Sequence, residues 1–251
     1  MGSGHHEWWV FQIFTISRTG ANYFKPTVKT LLVKKLVILS VVVAAVIVAG
    51  AAAYYSNSDT AIPVVERMHG DVSTAMGSPI LGDPMAPVTI VEFGDYQCHQ
   101  CYNWFHETKP LITREFIDSG KANLIFVDLA FLGRDSLTAA QATYCAEDQG
   151  MYWEYHDILY TSQESQIDNG WANSERLKAF AFTMGLDMEL FTSCLDSKKY
   201  EKRVQLNIAQ AQKAGATGTP AFVIVGPGDK EEMISGAQPY SVFKLVIDSM
   251  V

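Results

Sequence analysis

Cys98 and Cys101 stand in a Cys-x-x-Cys spacing, and two thiols so placed can do three kinds of chemistry. They can cycle between dithiol and disulfide, supply two ligands to zinc, or handle copper together with His99. The surrounding residues favour the first. Val88 to Phe93 is a β-branched, nearly continuous apolar run, which predicts a buried strand. Gly94-Asp95 predicts a turn, and Cys101, Tyr102, Phe105, Leu111 and Ile112 fit one face of a following helix. Cys98 is therefore expected where that helix begins, just past the carboxyl end of the strand. Unpaired N–H groups and the helix dipole favour an anion there, so a thiolate is stabilised and reactive. Cys101, one turn inside, is shielded and suited to resolving. No second Cys-x-x-Cys or closely spaced histidine pair follows, which counts against a structural zinc site; no cofactor is expected, and copper handling stays the minor alternative.

Downstream, Gly218-Thr219-Pro220-Ala-Phe-Val-Ile-Val225 sets a proline directly before another β-branched run. The order of strand, Cys-x-x-Cys helix, helical region and Thr-Pro strand resembles the thioredoxin superfamily. Within it, Gly-Ser-Pro-Ile-Leu-Gly-Asp-Pro-Met-Ala-Pro-Val-Thr-Ile-Val-Glu-Phe (residues 77–93) resembles the DsbA-like thiol–disulfide oxidoreductases, and the resemblance runs through roughly residues 77–251. It implies an α/β thioredoxin fold with an inserted helical subdomain. It also implies that the Thr219–Pro220 bond is cis and faces the cysteines, leaving the preceding backbone free to pair with an extended substrate. Glu92, six residues before Cys98, is similar in placement to the family's buried acid, which takes the proton the second cysteine loses. The other reading of Glu92 is an end-of-strand carboxylate in water, and Asp95 reads as a turn former.

The sequence departs from the DsbA pattern Cys-Pro-His-Cys, since His99 occupies the first intervening position. A protonated His99 could add to the stabilisation of Cys98, but the oxidising strength does not carry over. Cys145 and Cys194 fall on two expected helices; in an oxidising compartment they could form a staple, as in some DsbA-like proteins, or they are two unpaired core cysteines. His106 and His156 read as surface or capping residues, and the aromatics from Tyr102 to Tyr160 read mostly as core.

The chain carries 251 residues, 48% of them hydrophobic, enough for a domain of about 170–190 residues plus an appendage. Arg18, Lys25, Lys29, Lys34 and Lys35 against Glu7 give residues 1–55 a net of +4, leaving −12 for the remainder of a −8 chain. So acidic a domain repels a nucleic-acid backbone, which excludes that class of partner. Leu36 to Tyr55 carries no charge and as a helix spans ~30 Å, the thickness of a bilayer's hydrocarbon core. The lysines before it put the N-terminus in the cytoplasm and all that follows outside. Ala51-Ala52-Ala53 also offers signal-cleavage sites.

The expected organisation is an N-terminal cytoplasmic segment 1–35, a transmembrane anchor or signal sequence 36–55, a linker 56–76 and the thioredoxin-fold domain 77–251. In that domain a second strand at 122–129 follows the first helix, and five helices within the insertion, about 134–215, precede a hairpin and a closing helix from 239 to 250. A short strand is expected at 78–82. The function expected is an extracytoplasmic oxidoreductase that introduces disulfides into reduced secreted or surface proteins. The resemblance implies reoxidation by a quinone-linked membrane partner of the DsbB or vitamin K epoxide reductase type. A reductase or isomerase of the same fold, or a metal- or peptide-binding module, is the alternative.

Overall fold

The computed structural model describes residues 68–69, 72–228 and 230–251. A small antiparallel pair, β1 (Met68–His69) and β2 (Val72–Ser73), comes first. The main sheet has four strands: β3 (Val88–Gly94), β4 (Ala122–Asp128), β5 (Ala221–Gly226) and β6 (Lys230–Ser235), in the order β4-β3-β5-β6. β3 runs parallel to β4 and antiparallel to β5, which pairs antiparallel with β6. Every residue of β3, β4 and β5 is buried. Both faces of the sheet are covered, which is why these strands read as unbroken apolar runs. The edge strand β6 instead exposes Lys230, Glu231 and Glu232, charges that discourage further strand pairing.

Helix α1 occupies residues 99–117, and with the closing helix α7 (Tyr240–Met250) it covers one face of the sheet. There Trp104, Ile112 and Phe116 meet Val88, Ile90, Phe222 and Phe243. The other face, with Val91, Phe93, Ile125 and Val223, receives Ala211 of α6. The insertion contributes α2 (Arg134–Glu147), α3 (Tyr152–Thr161), α4 (Ser174–Thr183), α5 (Met188–Asp196) and α6 (Glu201–Lys213). Side chains cap two of them: Asn173 accepts from the Arg176 N–H, and Asp187 from those of Glu189 and Leu190. A disulfide joins Cys145 of α2 to Cys194 of α5, with Cα atoms 5.8 Å apart.

Four details differ from the sequence reading. The end of the expected linker is packed: Val72 and Thr74 are buried, and the Met76 carbonyl accepts from Arg203 and Asn207, both at 2.9 Å. Polar composition suggested a spacer, whereas carbonyls in this segment are satisfied by α6, far along the chain. The expected strand at 78–82 reduces to one bridge, Leu81 to Leu124, between Pro79, which lacks an N–H, and Gly82 at φ +98°. Helix α6 begins at Glu201 rather than Lys198, whose φ of +55° cannot continue a helix. In α1, two π turns, Trp104–Thr108 and Thr113–Ile117, shift the buried stripe to Cys101, Trp104, Thr108, Lys109, Ile112 and Phe116. Tyr102, Phe105 and Leu111, expected on that stripe, are only half-buried.

Among the described residues no helix is long and apolar enough to cross a membrane. The segments 1–35 and 36–55, and most of 56–76, lie outside the described residues.

Candidate active site

The site begins where β3 gives out. At Gly94 a side chain's first carbon would lie 2.3 Å from the Phe126 ring, so the strand can leave the sheet there only as glycine. Asp95 then folds the chain. Its Oδ1 accepts from the Gln97 N–H at 2.8 Å, and its Oδ2 from the N–H groups of Phe131 (2.9 Å) and Leu132 (3.0 Å). One buried carboxylate thus shapes the turn and ties it to the loop after β4. The Cys98 N–H donates back to the Asp95 carbonyl at 3.0 Å. Cys98 is left as the N-cap of α1 in extended geometry, φ −80° and ψ 117°.

That placement divides the two thiols. Cys98 is lowered to about 6, chiefly by a hydrogen bond from the Cys101 thiol; burial opposes this, while the Thr219 side chain and the N–H groups of Cys101 and Gln100 add to it. Cys101 is fully buried and raised well above the usual thiol range, first by burial, then by giving its hydrogen bond to Cys98 and by the negative charges of Cys98 and Glu92. The nearer cysteine is therefore the anion and its partner keeps the proton. His99, nominated to stabilise the thiolate, is exposed, and its ring stacks on Tyr102 at 5.6 Å between centroids.

Glu92 lies inside the protein, paired in register with Phe126 on β4 and Phe222 on β5. It faces neither water nor, among the described residues, any hydrogen-bond partner for its two oxygens. Burial pushes it up to about 8; Lys109 opposes the rise, and the charges of Cys98 and Asp157 add to it. Lys109 is itself a buried lysine, carried inward beside the first π turn. Its Nζ sits 2.8 Å from Asp157 Oδ1 and 4.5 Å above the Phe105 ring. His156 corrects the surface reading. It is fully buried among the rings of Tyr96, Phe105, Phe126 and Trp153, and burial, then the Lys109 charge, pushes it down to about 4.

From the opposite side comes the start of β5. The Thr219–Pro220 bond is cis, and in its protonated form the Cys98 thiol donates to the Thr219 carbonyl oxygen across 3.2 Å. Beside it opens a cleft of about 170 Å³ lined by Gly218, Thr219, Pro220, Ser235 and Gly236.

The structure thus gathers Cys98, Cys101, Glu92, Thr219 and Pro220, turns the His99 ring onto Tyr102, and places Cys145 and Cys194 in the insertion. Sequence reasoning missed Lys109, Gln97, Gln163 and Asp168. No local spacing marks them, because Gln163 and Asp168 reach the site across 65 to 71 positions of chain.

A strand, a cysteine-bearing helix and a cis-proline strand meeting in this way define the thioredoxin-fold thiol–disulfide oxidoreductases. The family model described as Thioredoxin matches residues 74–249, and the chain belongs to that family. It is 34% identical over 151 residues to the Probable disulfide bond formation protein D of Bacillus anthracis, covering 58% of this chain and 69% of the relative. The solved oxidised BdbD of Bacillus subtilis matches with a TM-score of 0.64 at 28% identity, over 73% of this chain and 97% of that one. The α-DsbA1 of Wolbachia pipientis matches with a TM-score of 0.61 at 28% identity, over 68% of this chain and 89% of the other. The chain is a DsbA-like thiol–disulfide oxidoreductase.

Proposed function

We propose that the enzyme works as an oxidant, introducing disulfides into reduced secreted or surface proteins through Cys98 and Cys101. The observation that carries this reading is the split between the two thiols. A thiolate held near 6 at Cys98 stabilises the reduced enzyme, and a stabilised reduced form makes its disulfide a stronger acceptor of electrons. Relatives named as disulfide bond formation proteins favour the same direction.

In the forward reaction a substrate thiolate attacks Cys98 Sγ, and the Cys98–Cys101 bond breaks. The electron pair leaves on Cys101, which takes a proton; Glu92, near 8 and so protonated at neutral pH, gives it in this reading. The substrate's second thiolate then attacks its own sulfur in the mixed disulfide. Cys98 departs as the thiolate, the substrate leaves oxidised, and two electrons remain on the enzyme. Thr219 and Pro220 present backbone to an extended substrate beside the nucleophile, by strand addition.

A membrane partner of the DsbB or vitamin K epoxide reductase type takes the electrons away in this reading. Residues 36–55 anchor the chain as a single pass, residues 1–35 stay cytoplasmic, and the catalytic domain lies outside. The lysines at 25, 29, 34 and 35 support that orientation. The reduction potential of the Cys98–Cys101 pair in the full-length chain tests the direction. A value near about −120 mV marks an oxidant, and one near about −270 mV turns the assignment into a reductase.

A further inference from the structure

The helical insertion reaches back to the turn that carries the nucleophile. Gln163, just beyond α3, donates through Nε2 to the carbonyl oxygens of Tyr96 at 2.6 Å and Cys98 at 3.2 Å. One amide thus straddles Gln97. Gln97 is held from its other end: its Nε2 donates to Ser136 Oγ and Asp168 Oδ1, both at 3.0 Å, and its Oε1 accepts from the Asp168 N–H at 2.7 Å. Asp168 in turn accepts from the N–H groups of Asp135 at 3.0 Å and Arg134 at 3.1 Å, capping α2 from across the chain. It does so at φ +54°, a conformation side-chain-bearing residues seldom adopt. The carboxylate fits only because residue 133 is glycine, where an added Cβ would stand 2.4 Å from Asp168 Oδ1.

These bonds converge on one short turn. Cys98 has no side-chain cap of its own; the Asp95 turn sets its extended N-cap geometry from one side, and the bonds from Gln163 and Gln97 hold the same turn from the insertion. That geometry aims the sulfur at the N–H groups of Gln100 and Cys101, and hydrogen bonds to an anion are strong but weaken steeply with misalignment. We propose that Gln163 and Asp168 are positioning residues for the redox reaction. Acting through Gln97 and the Tyr96 and Cys98 carbonyls, the 163–168 loop holds the Cys98 sulfur over the first N–H groups of α1. The inference rests on Cys98 being the nucleophile.

The test uses the reduced full-length chain, with the Cys98 thiolate titrated by ultraviolet absorbance and the disulfide equilibrated against glutathione. Gln163→Met keeps length and bulk but removes the donor. Gly133→Ala leaves the backbone unstrained, since residue 133 is extended at φ −166°, yet displaces the Asp168 carboxylate. Each is expected to raise the Cys98 midpoint by about half to one pH unit and to shift the glutathione equilibrium about three- to tenfold toward the protein disulfide. Asp168→Ala should do the same. Asp168→Asn, which keeps an acceptor and tolerates positive φ, should recover most of the loss. Wild-type midpoints and equilibria in both Gln163→Met and Gly133→Ala, whatever their thermal stability, overturn the proposal. Failure of Cys101→Ser to trap a mixed disulfide on Cys98 overturns instead the assignment of the nucleophile.

Discussion

The sulfur of Cys98 and the carbonyl oxygen of Thr219 stand 3.2 Å apart although 121 positions separate them in the chain. In the thiol form the S–H donates to that carbonyl, and once the proton is gone the Thr219 side chain is among the groups that favour the anion. Thr219→Val preserves shape and removes the hydroxyl. It should raise the Cys98 midpoint by about half to one pH unit, read as the pH at which alkylation by iodoacetamide reaches half its plateau. An unchanged midpoint would assign the thiolate's stability to the helix and Cys101 alone.

The low thiolate midpoint also makes stability pH-dependent in one redox state. Cys98 in the folded, reduced chain titrates near 6, below an unfolded thiol at about 8.5. The resulting stabilisation is fully present above the unfolded value and is lost as pH falls through about 6. Denaturant midpoints of the reduced protein should therefore rise between pH 5 and 8 relative to Cys98→Ser. The oxidised protein, with no thiolate, should lack this increment.

Glu92 acts with the opposite sign. Its carboxyl is raised from an unfolded value near 4.5 to about 8, so its contribution is most favourable below about 4.5 and is lost as pH rises through 8. Glu92→Gln should remove that loss, gaining roughly 2–4 kcal/mol more at pH 8 than at pH 4.5 in urea unfolding. Turnover of a dithiol peptide should fall in the same variant, because Cys101 loses its proton donor. A gain in stability with full turnover would separate the buried acid from the chemistry.

Lys109 supplies the charge that restrains Glu92. Lys109→Met should move the Glu92 titration further above 8, seen by carboxyl infrared absorption or NMR. Asp157, half-exposed, loses one partner and keeps access to water, so the fold should survive.

The Cys145–Cys194 disulfide bridges positions 49 apart. Replacing both cysteines with alanine should cost about 4 kcal/mol in the chain-entropy model, while the Cys98–Cys101 potential stays at the wild-type value. A potential that follows the substitution would give this pair a role beyond holding α2 to α5.

Much of this protein could be read from local pattern. The runs Val88–Phe93 and Ala221–Val225 are strands because they are buried on both faces, and Cys98 heads a helix because a turn ends the first of them. Pro220 was singled out by its place before a strand. Tertiary structure decided the rest. Whether Glu92 met water or the core depended on Phe126 and Phe222 from two other strands. Lys109 is buried just past a π turn, where Asp157 of α3 meets its ammonium. The thiolate's surroundings are completed by Thr219, and its turn by Gln163 and Asp168. Patterning fixes which face of an element is apolar, since that depends on neighbours three or four residues away. The charge state of a group depends on what desolvates it and what donates to it, and those partners come together only when distant parts of the chain pack.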